Sequence, residues 1–347
     1  MKKFPNISHI NPNSLDGLNH LGKFLVDVQF LSGAIPSNQD GSHDPWDHLE
    51  ALMGLTTLGY KTQALKGLDW MVSNQNQDGS WYNLYQDEKP LELNKQTNYA
   101  AYISVVVWHF YLINNDVNFL QEFWEPVKNG ILFSLSLQHV NGAIAWNIDE
   151  FEKIDEDYLL TGCSSIAKSL ECAIAICQAL GNQNYESEWR IAHSKLISAL
   201  ENPSGIFDLK KDRSRFSMDW YYPILGGINS KKRINSLTTK IKDSFWIQDL
   251  GIKCVSDEPW VTVAETSECS IAYKKIGEDK IALELLHNAI AIVDGNGIPY
   301  MGWQFSENIY WPDETPAWTS AACILAADAN NRLTSGADLF LKQQFKS

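Results

Sequence analysis

The chain has 347 residues, 44% of them hydrophobic and 20% charged, which is the composition of a folded protein and not of a disordered tail. It carries 28 Lys and Arg against 42 Asp and Glu, a formal net charge of -14, so neither a nucleic-acid backbone nor an anionic membrane suits it as main partner. Thirteen Trp, 13 Tyr and 14 Phe form an aromatic surplus that must line a core, a cavity or a binding surface.

The opening residues, MKKFPNISHINPNSL, hold no apolar run of signal-peptide length. No stretch approaches the roughly 18 uninterrupted apolar residues of a transmembrane helix, so the expected location is cytoplasmic. From there a unit recurs at a period of roughly 50 residues. Each unit has an amphipathic helix, a loop with a Gly followed closely by an apolar residue, and a second helix apolar nearly all round. The first pairs helices over 14–31 and 46–59 across Gly33-Ala34-Ile35. The second pairs 62–75 and 98–113 across Gly79-Ser80-Trp81, and the third 117–138 and 162–180 across Gly142-Ala143-Ile144. The fourth pairs 185–201 and 219–228 across Gly205-Ile206-Phe207. The fifth pairs 230–246 and 264–276 across Gly251-Ile252, and the sixth 279–294 and 315–330 across Gly297-Ile298-Pro299. A helix apolar on every side is buried on every side. Twelve helices alternating between half-buried and buried predict an all-α (α/α)6 barrel, a toroid of six helical hairpins forming one domain over 1–347. Strand signals are confined to GAIAW, GIKCV and GIPYMGW, short enough for loop hairpins. The six cysteines include no CxxC pair and read as reduced, mostly buried thiols.

This arrangement gathers six long loops at one rim, leading into the N-termini of the inner helices, where function usually sits. The residues there are mostly acidic. Asp44, Asp47, Asp219, Glu265, Asp313 and Glu314 are the candidate acids and bases, with Asp155, Glu156, Asp157 and Glu268 nearby. Helix capping explains some of them. It does not explain the aromatics beside them: Trp46, Trp81, Trp146, Trp220, Tyr221, Trp260, Trp303, Trp311 and Trp318, the candidate substrate-binding residues. An acidic, aromatic cleft serves two chemistries. Aromatic faces stabilise a carbocation formed by a carboxylic acid. A sugar ring stacks on Trp while its glycosidic bond is cut between two carboxyl groups. Lys210, Lys211, Arg213 and Arg215 form the basic cluster of this rim and read as a solvated loop.

Lys66, Gly67, Trp70, Met71, Gln75, Gly79 and Trp81, in KGLDWMVSNQNQDGSW, resemble the QW motif of squalene–hopene cyclases. A weaker copy is Gln138, Gly142 and Trp146. The resemblance implies the barrel of the terpenoid cyclase and protein prenyltransferase superfamily, and an enzyme of isoprenoid metabolism. The cyclase DxDD motif is absent: Asp155-Glu156-Asp157-Tyr158 and Asp313-Glu314-Thr315 come nearest. His43, His48, His109 and Cys323 lack zinc-ligand spacing. No metal and no cofactor is expected. The expected partner is a small molecule, isoprenoid or carbohydrate. The leading expectation is a prenyltransferase- or terpenoid cyclase-like transferase. The alternatives are a carbohydrate-active barrel (hydrolase or epimerase) and a non-catalytic binding barrel.

Overall fold

A computed structural model describes residues 10–346. Among these, thirteen α-helices follow in chain order: α1 (Leu15–Val28), α2 (Pro45–Thr57), α3 (Lys61–Ser73), α4 (Thr97–Asn114), α5 (Val117–Glu122), α6 (Trp124–Ser136), α7 (Leu160–Leu180), α8 (Gln183–Glu201), α9 (Met218–Gly226), α10 (Lys231–Ser244), α11 (Val263–Lys275), α12 (Asp279–Ala289) and α13 (Ala317–Asn331). The helix expected over 117–138 is broken into α5 and α6 at Phe123, beside Trp124 and Pro126. The other eleven lie where the periodicity puts them, within a few residues at each end.

The inner helices touch in the order α2, α4, α7, α9, α11, α13, and α13 returns to α2, so the ring is closed. Each packs against an outer helix: α3 on α2, α6 on α4, α8 on α7, α10 on α9, α12 on α11, and α1 on α13. The chain is an (α/α)6 barrel. Helix α7 is long and apolar enough to cross a membrane by composition alone, but it is buried on all sides inside this ring. Cys163, Cys172 and Cys177 on α7, with Cys269 and Cys323, are buried free thiols, and Cys254 is half-buried.

The loops after the outer helices repeat one hydrogen-bonded turn. In the second, the Gly79 N–H donates to the Asn76 carbonyl (2.9 Å) and the Asn76 N–H to the Ser80 carbonyl (2.8 Å). Gly33, Gly142 and Gly297 close the same turn. Gly79 has φ +91°, and a Cβ there would stand 2.2 Å from the Asn129 carbonyl of α6. Glycine is therefore needed for its backbone conformation and for the approach of the next hairpin. Gln75 fastens the same junction, donating to the Gly79 carbonyl (2.9 Å) and the Pro126 carbonyl (3.0 Å). Gln29 and Gln138 do so one hairpin before and one after, each donating to its own loop and to the next outer helix. Trp81 is fully buried, and its indole N–H donates to the Met71 carbonyl (2.8 Å). The Gln75–Gly79–Trp81 pattern is thus a joint of the barrel.

All long loops emerge at the rim where the inner helices begin. Short antiparallel strands tie neighbouring loops together: Ser42–His43 pairs with Leu84–Gln86, Lys95–Gln96 with Asn147–Ile148, and Trp260–Thr262 with Gly302–Gln304. At the opposite rim the C-terminal segment crosses the barrel. There Lys168 reaches Glu171 (2.7 Å) and the Leu339 carbonyl (3.1 Å), while the Gln344 N–H donates to Glu171 (2.9 Å). That rim is covered, and the long-loop rim is the one that opens.

Candidate active site

A cavity of about 340 Å³ sinks into the barrel from the long-loop rim. Four carboxyl groups line it: Asp44 and Asp47 at the start of α2, and Glu265 and Glu268 in the first turns of α11. The i, i+3 spacing of Glu265 and Glu268 places both on one helix face. Asp44 caps α2. Its Oδ1 accepts from the Asp47 N–H (2.8 Å) and its Oδ2 from the Tyr99 hydroxyl (3.0 Å). Asp47 sits one turn in, with its remaining exposure toward the cavity.

Below them the cluster continues into the core. Glu268 accepts from Tyr221 and from the Tyr222 hydroxyl (3.0 Å). Glu50, one turn beyond Asp47, accepts from the Tyr102 hydroxyl (3.3 Å), and its Oε2 has no partner among the described residues. Burial is the main force on all these groups, since low polarity penalises the charged form. It raises Asp44 and pushes Asp47 well above the usual carboxylate range, with the charge of Asp44 adding to the effect. Burial likewise lifts Glu50 far up, helped by Glu268, and brings Glu268 to about 8. Acids crowded this closely cannot all ionise, so the site holds protons at neutral pH.

The walls are aromatic and the polar atoms are left open. Trp46, Tyr99, Trp146 and Trp318 line the cavity, and Trp46 is fixed by stacking on Tyr102 at 4.1 Å. Among the lining residues, Asn98 Oδ1, Ser165 Oγ and Glu265 Oε2 are buried without a hydrogen-bond partner among the described residues. Unpaired buried polar atoms are costly, and several in one cavity mark where a polar ligand belongs. Arg213 also lines the cavity, with its Nε 3.5 Å from Asp219 and its guanidinium over the Phe216 ring at 4.5 Å. Among the described residues no His, Cys, Asp and Glu group has the geometry to hold a metal ion.

Three of the six acidic residues singled out in the sequence, Asp44, Asp47 and Glu265, meet in this cavity. Asp219 lies behind its wall, accepting from Thr161, which lines it. Asp313 and Glu314 are exposed outside it, and the Glu314 backbone serves only to hold Met301 (2.9 Å). Of the aromatics, Trp46, Trp146 and Trp318 line the cavity. Tyr221 supports Glu268 from below, Trp81 and Trp303 are buried in the scaffold, and Trp220, Trp260 and Trp311 face other hollows of the rim. Sequence reasoning passed over Glu50 and Tyr99, and it named Glu268 only beside the candidate acids and Arg213 only in the basic cluster. The i, i+3 and i, i+6 acidic spacing from Asp44 to Glu50 was the available signal for the first. The basic run expected as a solvated loop instead sends Arg213 into the cavity wall.

No family model matches the chain. The chain is 37% identical over 317 residues to the MMP endo-(1,4)-3-O-methyl-α-D-mannosidase of Mycolicibacterium hassiacum, covering 91% of this chain and 86% of that protein. Its fold is similar to a bacterial glucoamylase complexed with acarbose (TM-score 0.73, 13% identity, 95% of this chain and 58% of that one). It is also similar to a GH63 mannosylglycerate hydrolase from Thermus thermophilus in complex with glucose (TM-score 0.69, 10% identity, 89% and 99%). A glycosidase in complex with glucose gives a TM-score of 0.67 at 13% identity, covering 93% and 97%. These findings overturn the expected terpenoid cyclase or prenyltransferase activity and the isoprenoid assignment. The QW-like residues misled because Gln75, Gly79 and Trp81 solve a problem common to this barrel, the joint between hairpins, whatever chemistry its rim performs. With 37% identity across nine-tenths of its length, the chain belongs to the family of the MMP endo-(1,4)-3-O-methyl-α-D-mannosidase.

Proposed function

We propose that the chain is a glycoside hydrolase that cuts an α-(1,4)-linked mannose-type glycan in the rim cavity, with Asp47 as proton donor and Glu265 as the carboxylate acting on the anomeric centre. One observation carries this reading: a buried, proton-holding acid and a carboxylate with an unpaired oxygen face one aromatic-walled cavity. Glycoside cleavage needs that pair, an acid to protonate the departing oxygen and a second carboxylate on the other side of the sugar. Burial and the charge of Asp44 keep Asp47 protonated at the pH where it must donate. Glu265 attacks the anomeric carbon directly or draws a proton from the attacking water. Trp46, Trp146 and Trp318 offer faces to the sugar ring, and Asn98, Ser165 and Arg213 offer hydrogen bonds to its hydroxyls. The mannosidase relative supports the choice of sugar and linkage.

The test is incubation with α-(1,4)-linked mannooligosaccharides, with and without 3-O-methyl groups, followed by mass spectrometry of the products. New reducing ends from the wild type, and none from Asp47→Asn or Glu265→Gln, are expected. Cleavage of α-glucans alone would contradict the choice of sugar, and cleavage of no glycoside would contradict the activity.

A further inference from the structure

Beside the catalytic cavity, on the same rim, lies a groove of about 620 Å³ built from the loops that precede α9, α11 and α13. Its most unusual feature is Trp311. Of the thirteen tryptophans it alone is exposed, at 49%, and its neighbour Ile309 is 47% exposed. Trp311 is nevertheless held in place. The Trp260 indole N–H donates to its carbonyl (2.6 Å), and the two rings meet edge to face at 5.0 Å. A rigid aromatic face open to solvent costs little order to use in binding. Around it stand Arg215, Glu258, Gln304 and Glu307, a polar rim suited to hydroxyl groups.

Phe216 links groove and cavity: it lines the groove, Arg213 of the cavity lies over its ring at 4.5 Å, and Arg215 of the groove lies at 5.5 Å. Backbone bonds stiffen this link: the Ser217 N–H donates to the Cys254 carbonyl (2.9 Å) and the Ser256 N–H to the Arg215 carbonyl (2.8 Å). Cys254 lines the groove and neighbours Glu265, which lines the cavity. A polymer seated at Glu265 and longer than the cavity therefore has this groove as a neighbouring surface.

We propose that this groove is a remote binding stretch for the same glycan, in which sugar residues away from the cleaved bond stack on Trp311 and Trp260. The inference rests on the glycosidase reading for its ligand. The continuity of the two hollows through one side chain, and an aromatic face framed by polar groups, fit a sugar chain with apolar ring faces and peripheral hydroxyls.

Kinetics on α-(1,4)-mannooligosaccharides of increasing length test it. Trp311→Ala should raise KM for long chains by between about two- and tenfold, the range for losing one stacked ring, while kcat holds. KM for a chain short enough to fill only the cavity should not change, and Trp311→Phe should restore most of the loss. Equal effects on long and short chains, or no effect on either, would overturn the proposal. Titration of the same oligosaccharides into the wild type and Trp311→Ala reads the groove without turnover. Weaker binding of the long chain alone supports it and equal binding overturns it, whichever way the hydrolysis assay falls.

Discussion

Replacing Glu268 by Gln should flatten the dependence of stability on pH. Glu268 lies beneath the cavity, accepts hydrogen bonds from Tyr221 and Tyr222, and has its carboxyl pushed to about 8 by burial, against an ordinary value of 4.5. Between these two values the unfolded chain has released the proton and the folded chain has kept it. The unfolded state then binds fewer protons, so stability falls as pH rises. The contribution is fully present below pH 4.5 and is lost as pH rises through about 8. The slope is about 1.4 kcal/mol per pH unit, or about 5 kcal/mol across the window. That total is an upper bound, because Asp47 and Glu50 titrate with Glu268. For a chain of this length the slope corresponds to about 2 °C in Tm per pH unit. Gln keeps the shape and an acceptor for one tyrosine but has no proton to lose. Thermal unfolding followed from pH 4.5 to 8.5 at constant ionic strength is the assay. The wild type should lose Tm steadily, and Glu268→Gln should lose less and be the more stable protein at pH 8. Parallel curves would refute the assignment of Glu268 as a buried proton carrier.

Asp47→Asn should lower kcat by roughly 10²–10⁴-fold, and by less on an aryl glycoside whose leaving group needs little protonation. Wild-type kcat should fall as pH rises through the raised value of Asp47, and an alkaline limb that survives in Asp47→Asn would assign the acid elsewhere. Gly79→Ala should cost at least about 2 kcal/mol, since it combines a left-handed φ with a clash on the Asn129 carbonyl; denaturant titration checks this. Gln75→Ala removes two hydrogen bonds to backbone carbonyls and should cost about 1–3 kcal/mol in the same titration, with activity per folded molecule unchanged.

The fold was legible because the two kinds of helix differ in pattern. Helix α4 is apolar on every side and inner, while α8, with Lys195 and Glu201 beside Leu196 and Leu200, is half-solvated and outer. The site was legible only in part. Asp44, Asp47 and Glu265 lie at inner-helix starts, where the rim rule puts them. Asp313 and Glu314 obey the same rule in sequence, but they stay exposed outside the cavity, and the extended Pro316 delays the start of α13 to Ala317. Trp81 and Trp303 read as binding residues because composition does not separate an indole that seals a hairpin joint from one that faces a ligand. Arg213 was hidden in a basic run whose other members stay at the surface, with Lys211 on Asp155 and Arg215 on Asp257. The chemistry itself was not legible, since acid–aromatic clefts serve carbocations and sugars alike.

The central claim is that Asp47 and Glu265 together cleave a glycosidic bond. Initial rates on an α-(1,4)-mannooligosaccharide, measured for the wild type, Asp47→Asn, Glu265→Gln and the surface variant Asp313→Asn, test it most directly. The account predicts losses of at least about 100-fold for the first two variants and a rate within about twofold of wild type for the third. Wild-type rates from both Asp47→Asn and Glu265→Gln, or a collapse confined to Asp313→Asn, would contradict it.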